Sequence, residues 1–296
     1  MATVASLHVS EASMRPMRSV DAVTLVPGVG VEGDRYATGR GTYVAFREPG
    51  RQITLISGDG AASAVAGLPR RVSVPDLRRN VVVTGMTAAE LASAIGAVVR
   101  VGDECEVFVH RLCVPCLYNE RLNRAPGLME AVWEAGGVNC EILRGGVVRV
   151  GDGVAVVPGS RDASRVDDGG KKAAFYKRPS LRTEDERRSL AAAPNPEKPG
   201  MERIMSAYAS VGAGEALGLT DAEVERLKKR ARRRDERADE KRSQAEAALV
   251  RVALAALSAL VVLVAASLVS GEGGAAGVLP RIASPSKPFL RDDASL

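Results

Sequence analysis

Valine-rich runs of four to seven residues recur through the first half of the chain, with Gly, Asp and Pro clustered between many of them. They lie at Val4–Val9, Val20–Val26, Gln52–Ile56, Asn80–Thr84, Ala97–Val101, Cys105–Val109, Asn139–Leu143, Val147–Val150 and Val154–Val157. Apolar alternation of this length, bounded by turn residues such as Gly58-Asp59-Gly60 and Gly102-Asp103, predicts short β-strands. Two stretches fit helices better, Ala88–Ile95 and Gly127–Ala135. Closely spaced strands with few helices predict a mostly β barrel over residues 1–157 rather than a parallel α/β sheet.

The pattern then changes. Residues 158–200 lack a sustained apolar period and are rich in Pro and charge, which predicts a flexible linker with one helical turn around Glu184–Ala192. Met201–Ala216 is weakly amphipathic. Thr220-Asp221-Ala222-Glu223 fits a helix start, with Thr as cap and Glu three positions on. A charged helical region is expected over 201–246, an apolar span over 247–269 and a short disordered tail over 270–296. From Val252 to Val269 no charged residue occurs. This run is apolar around its whole circumference and, with Ala247–Val250 and a snorkelling Arg251, long enough for a transmembrane helix.

Charge sharpens this division. The chain of 296 residues has a formal charge of +5. Residues 1–157 hold 16 arginines, no lysine and 16 acidic residues, so the excess lies entirely in the second half. Between Arg226 and Arg242 there are 10 basic and 4 acidic residues, directly before the apolar span. Basic flanks of membrane helices stay on the cytosolic side, which predicts a single pass with the amino-terminal domain in the cytosol. Aromatic residues make up 3% of the chain, too few for base-stacking platforms, and no nucleic-acid role is expected.

Candidate chemistry is sparse. His8 and His110 are the two histidines, and neither a Gly-x-Gly-x-x-Gly helix start nor a Gly-Lys-Ser/Thr phosphate loop is present. The four cysteines are Cys105, Cys113, Cys116 and Cys140. Met1–Ser10 reads as a strand and not as a secretory signal, so reduced thiols are expected. Cys113-Val114-Pro115-Cys116 follows a strand and His110-Arg111. It could be half of a zinc site, a thiolate for a soft metal or sulfur carrier, or two thiols in a loop without a role. Gly28–Arg35 (GVGVEGDR) could bring main chain and the Asp34-Arg35 pair to a ligand, or be a turn. Arg78-Arg79-Asn80 could clamp a phosphate and read a heterocycle edge, or be a surface basic cluster.

Six of these elements, in order, resemble the MOSC domain, the module named for the carboxy-terminal part of molybdenum cofactor sulfurase. They are Gly30–Tyr36, Arg51–Ile56, Arg79-Asn80 before a Val-rich strand, Ile95–Asp103, Pro115-Cys116, and Gly145–Asp152. The resemblance covers about residues 3–157 and implies a β-barrel. It implies the molybdenum cofactor (molybdopterin) or sulfur transfer, with Cys116 as metal ligand and catalytic centre. It assigns Gly33, Asp34, Arg35, Arg79 and Asn80 to the cofactor pocket, with Cys113 as a second nearby thiol. Two functions follow: reduction of N-hydroxylated compounds with electrons from a separate reductase, or a membrane-tethered carrier of cofactor or of a Cys116 persulfide supplied by a cysteine desulfurase. Pyridoxal phosphate, also associated with this domain class, is expected to belong to the desulfurase domain of the sulfurases and not to this chain. The amidoxime-reducing relatives carry a further amino-terminal barrel and an amino-terminal anchor. Here the apolar span follows the domain.

Overall fold

In the computed structural model, which describes residues 1–44, 48–191 and 200–269, valine alternation becomes barrel wall. Val99 and Val101 point inward, fully buried, and Arg100 between them is exposed, as side chains of successive strand residues must. Among the described residues eleven strands form: β1 (Ala2–Val9), β2 (Arg18–Val20), β3 (Ala22–Val26), β4 (Gly30–Val31), β5 (Ile53–Ser57), β6 (Val81–Thr84), β7 (Val98–Val101), β8 (Cys105–Leu112), β9 (Val138–Arg144), β10 (Gly146–Arg149) and β11 (Gly153–Val156). The run expected over 20–26 is split, with Asp21 between β2 and β3. Seven strands close in the order β11-β7-β8-β9-β5-β6-β1, and a β1–β11 pairing completes the ring. β2 extends the sheet beside β1, and β10, β3 and β4 make a second small sheet.

Of the described pairings only β5–β6 is parallel. A parallel pair needs a crossover, and α1 (Gly58–Val65) provides its helix. The Gly58-Asp59-Gly60 turn signal concealed this helix: the Ser57 hydroxyl accepts from the Gly60 N–H at 3.2 Å and caps it. Further on come α2 (Ala88–Ser93), α3 (Leu117–Asn123) and α4 (Leu128–Ala131). A second core forms where Ala61 and Val65 of α1, Leu77, and Leu128 of α4 pack on Ile56 and Val82, outside the barrel wall.

Residues 158–191, expected as linker, are attached to the barrel. Arg161 donates to the carbonyls of Ile95 (2.6 Å) and Ser93 (2.7 Å), and the Asp162 N–H donates to Gly96 O (2.6 Å). The Asp167 N–H donates to Nδ1 of His110 at 2.9 Å, which leaves Nε2–H to donate to Glu141 at 3.0 Å. Arg165 lies 5.1 Å over the Phe108 ring. Phe108 and His110 point outward from β8 yet are 1% exposed, because this segment covers them. The attachment is polar and made largely by main chain, so apolar periodicity carries no trace of it. The segment ends in α5 (Glu184–Ala191); residues 192–199 lie outside the described residues.

Among the described residues two further α-helices follow, α6 (Met201–Ser210) and α7 (Asp221–Val269). The capping box at the start of α7 forms as expected: the Thr220 N–H donates to Glu223 at 2.9 Å and the Glu223 N–H to the Thr220 hydroxyl at 3.4 Å. The chain divides into two units, residues 1–235 and 236–296. The second contains the later turns of α7, and within this helix, up to Ala265, is an exposed apolar stretch long enough to cross a membrane. The tail expected over 270–296 lies outside the described residues.

Candidate functional site

β8 ends at Leu112 and α3 begins at Leu117, so the two loop cysteines stand between a barrel strand and a helix. The loop is tied down at both edges. The Cys113 N–H donates to Gly137 O at 2.8 Å. Arg79 donates from Nη2 to Cys113 O (3.2 Å), from Nε to Gly136 O (2.7 Å) and from Nη1 to Leu77 O (2.7 Å). All three guanidinium nitrogens are thus engaged by carbonyls. Arg79 braces the cysteine loop.

Cys116 takes the cap position of α3, and its carbonyl accepts from the Asn119 (3.0 Å) and Glu120 (3.3 Å) N–H groups. Its thiol is half-buried. On one side is a cavity of about 30 Å³ lined by Arg79, Pro115, Asn119, Glu120, Met129 and Val132. Tyrosines lie nearby as well: the Tyr208 hydroxyl is close enough to the Cys116 thiol to feel its charge and lies 3.4 Å from the Tyr43 hydroxyl. Both phenols are pushed up, chiefly by burial and then by the charge Cys116 would carry.

Cys113 has other neighbours, Tyr36 and Cys140. The Cys140 thiol is fully buried and pushed far up by that burial; Cys105 is pushed up by burial, then by Glu104 and Asp152. These two are inert core thiols. Among the described residues no three His, Cys, Asp or Glu side chains converge on a metal-sized point, so the CxxC finds no zinc complement there.

Asp34, Arg35 and Asn80 form a separate network that adjoins the loop. Asp34 Oδ2 accepts from the Ser10 N–H (3.1 Å), Arg35 Nη1 (3.2 Å) and Asn80 Nδ2 (3.3 Å), and Oδ1 accepts from the Tyr36 N–H (3.2 Å). Asn80 Oδ1 accepts from the Thr54 hydroxyl at 2.9 Å, and Arg35 Nη2 donates to Arg78 O at 3.2 Å. Arg78 is buried, with a left-handed backbone (φ 65°), and donates to the carbonyls of Arg15 (2.6 Å) and Ser13 (2.8 Å). Burial, then repulsion from Arg35, pushes its pKa down to about 10. Ser13 O also accepts from the Tyr118 hydroxyl at 2.9 Å, which joins this network to α3. Gly33, at φ 74°, has open space where a Cβ would project.

The predicted residues therefore fall in two groups: Cys113, Cys116 and Arg79 around one loop, and Gly33, Asp34, Arg35 and Asn80 beside it. Tyr43, Tyr118 and Tyr208 were not foreseen, because no motif spacing marks them.

The family model described as "MOSC domain" matches residues 42–155, which include β5 through β10, the cysteine loop and Arg79-Asn80. The chain carries a MOSC domain. Among solved structures it is similar to the YuaD protein of Bacillus subtilis, at 22% identity over 52% of this chain and 93% of that one, TM-score 0.42. It is also similar to YiiM from Geobacillus stearothermophilus (13% identity, 69% of this chain and 100% of that one, TM-score 0.43) and YiiM from Escherichia coli (15%, 72% and 92%, TM-score 0.41). No curated protein matches the chain. The structure places Cys116 inside the matched MOSC segment and Tyr208 outside it.

Proposed function

We propose that the chain is a membrane-anchored MOSC protein that binds the molybdenum cofactor through Cys116 and reduces N-hydroxylated compounds. The observation that carries this reading is the position of Cys116, a half-buried thiol on a braced loop at a cavity edge. The donor chemistry fits: a thiolate is a soft ligand suited to such a metal, and a single protein sulfur leaves the remaining coordination to the cofactor. The cavity beside the thiol, about 30 Å³, is smaller than the cofactor. When bound, the group supplies the two-electron change by which a substrate N–O oxygen leaves as water, two protons and two electrons being consumed; the electrons come from a separate reductase. The chain's own residues position and shield. Arg79 fixes the loop that presents the sulfur, and the buried Tyr43 and Tyr208 hydroxyls, hydrogen-bonded to each other near it, keep their protons at neutral pH. Asp34, Arg35 and Asn80 are committed to one another, so their part is to hold the wall behind the loop. Protein purified from a cofactor-competent host is expected to contain near-stoichiometric molybdenum, and Cys116→Ser to lose most of it. Metal-free wild-type protein from such a host would count against the proposal.

A sulfur-carrier reading has its own support, because the 30 Å³ beside Cys116 is room enough for one added sulfur atom. A persulfide donor would pass its outer sulfur to the Cys116 thiolate and leave as the thiol. Incubation with a cysteine desulfurase and cysteine, followed by mass spectrometry, should then show one extra sulfur on Cys116; an unmodified peptide eliminates this reading.

The anchor is part of the proposal. The basic turns Arg226–Arg242 would hold the barrel on the cytosolic side. Full-length protein is expected to remain in the membrane pellet through carbonate washing, and a chain ending at Glu246 to appear wholly in the supernatant. Release of the full chain by carbonate would rule out a spanning helix.

A further inference from the structure

α6 lies outside the matched domain and yet comes near its thiol. Tyr208 brings its hydroxyl within 3.4 Å of that of Tyr43, and its ring lies 5.8 Å from that of Tyr118, two residues after Cys116 on α3, close enough for the charge Cys116 would carry to act on the phenol. Arg203, one turn back, hooks the helix to the loop 39–41, donating to Gly39 O at 2.5 Å and Gly41 O at 3.5 Å. The far side of α6 packs on the first turns of α7, where Met205 and Ala209 meet Leu227, and Glu202 pairs with Arg230 at 3.1 Å. The void beside Cys116 has room for about two waters, judged by about 15 Å³ for each. The partly exposed thiol thus lies beside a two-water void and near a helix that Arg203 and Tyr208 tie to the domain.

We propose that α6 is a size-selective lid over Cys116, with Tyr208 the residue that sets what reaches the thiol. With Tyr208 seated, species a few atoms across reach the sulfur; anything of cofactor size requires α6 to withdraw. The lid rests on the reading of Cys116 as the working group. It concerns access alone, so its test and the molybdenum measurement fail independently.

The test uses the full chain in detergent, on a Cys113→Ser background so that the loop has one thiol. Two probes are compared, methyl methanethiosulfonate as the small one and fluorescein maleimide as the bulky one, with labelling quantified on the Cys116 peptide. Each rate is normalised to the same protein unfolded in urea. The bulky probe is expected to react about 100-fold more slowly than the small one, as a lid open on the order of 1% of the time dictates. Tyr208→Ala is expected to raise the bulky rate relative to the small-probe rate about 10-fold; the ratio of the two probes cancels any change in the reactivity of the thiol itself and reports the open population. If that variant fails to fold, Arg203→Gln loosens the same helix without touching the thiol's surroundings, and the same selective rise is expected. Equal normalised rates for the two probes on the parent protein overturn the lid, as does an unchanged ratio in a folded variant.

Discussion

Asp34→Ala is expected to destabilise the barrel by about 3–5 kcal/mol, a large part of what a domain of this size has. Asp34 is 2% exposed, and its two oxygens accept four hydrogen bonds, from the Ser10 and Tyr36 N–H groups, Arg35 and Asn80. Arg35 and Arg78 are both buried and repel each other. Removing the carboxylate leaves these two cations facing without their anion, and takes an acceptor from the buried Ser10 N–H, the part-buried Tyr36 N–H and one N–H of the Asn80 amide, whose other N–H keeps His8 O. Asp34→Asn retains the volume and one acceptor oxygen but places an NH2 against donors, so an intermediate loss is expected. Urea midpoints followed by circular dichroism measure both. A loss below about 1 kcal/mol for the alanine variant would show that Asp34 does not neutralise the pair and is free to face a ligand, the role that the Gly33-Asp34-Arg35 motif alone implies.

The same residues show what was legible in the chain. The barrel was, because inward valines alternate with outward polar residues and the glycines between them end many of the runs; β7, with Val99 and Val101 in and Arg100 out, needs no tertiary knowledge. The cysteine loop was legible too, since two thiols after a strand are uncommon chemistry at a recognisable place. Its bracing was not. Arg79 reads as a phosphate clamp in sequence, and only the fold shows its donors turned onto the carbonyls of Leu77, Cys113 and Gly136. Tyr208 was hidden for a different reason. A weakly amphipathic helix says that one face is buried, and nothing in its own periodicity says against which surface. The segment 158–191 gave no apolar signal because it docks through Arg161, Asp162, Asp167 and main-chain groups.

Gly137→Ala is expected to cost more than about 4 kcal/mol and to disorder the cysteine loop with it. Gly137 has φ 82°, the left-handed region, and a Cβ there would lie 2.2 Å from Leu55 O and 3.1 Å from Ile56 Cα. Those are backbone atoms of β5, which pairs with β9 in the register Leu55 opposite Val138, so the neighbour cannot give way without breaking the ladder. Gly137 also provides the carbonyl that accepts from the Cys113 N–H, which carries any displacement directly into the loop that presents Cys116. Gly33→Ala is the matched comparison. Its φ is 74°, nearly the same, but nothing lies within 4 Å of the added carbon, so only the conformational cost of about 1–2 kcal/mol remains. Unfolding midpoints separate the two contributions, and labelling of Cys116 reports on the loop. Equal losses at the two positions would mean that backbone conformation alone fixes glycine at 137, and that the close approach of β5 to the turn before β9 does not hold the loop.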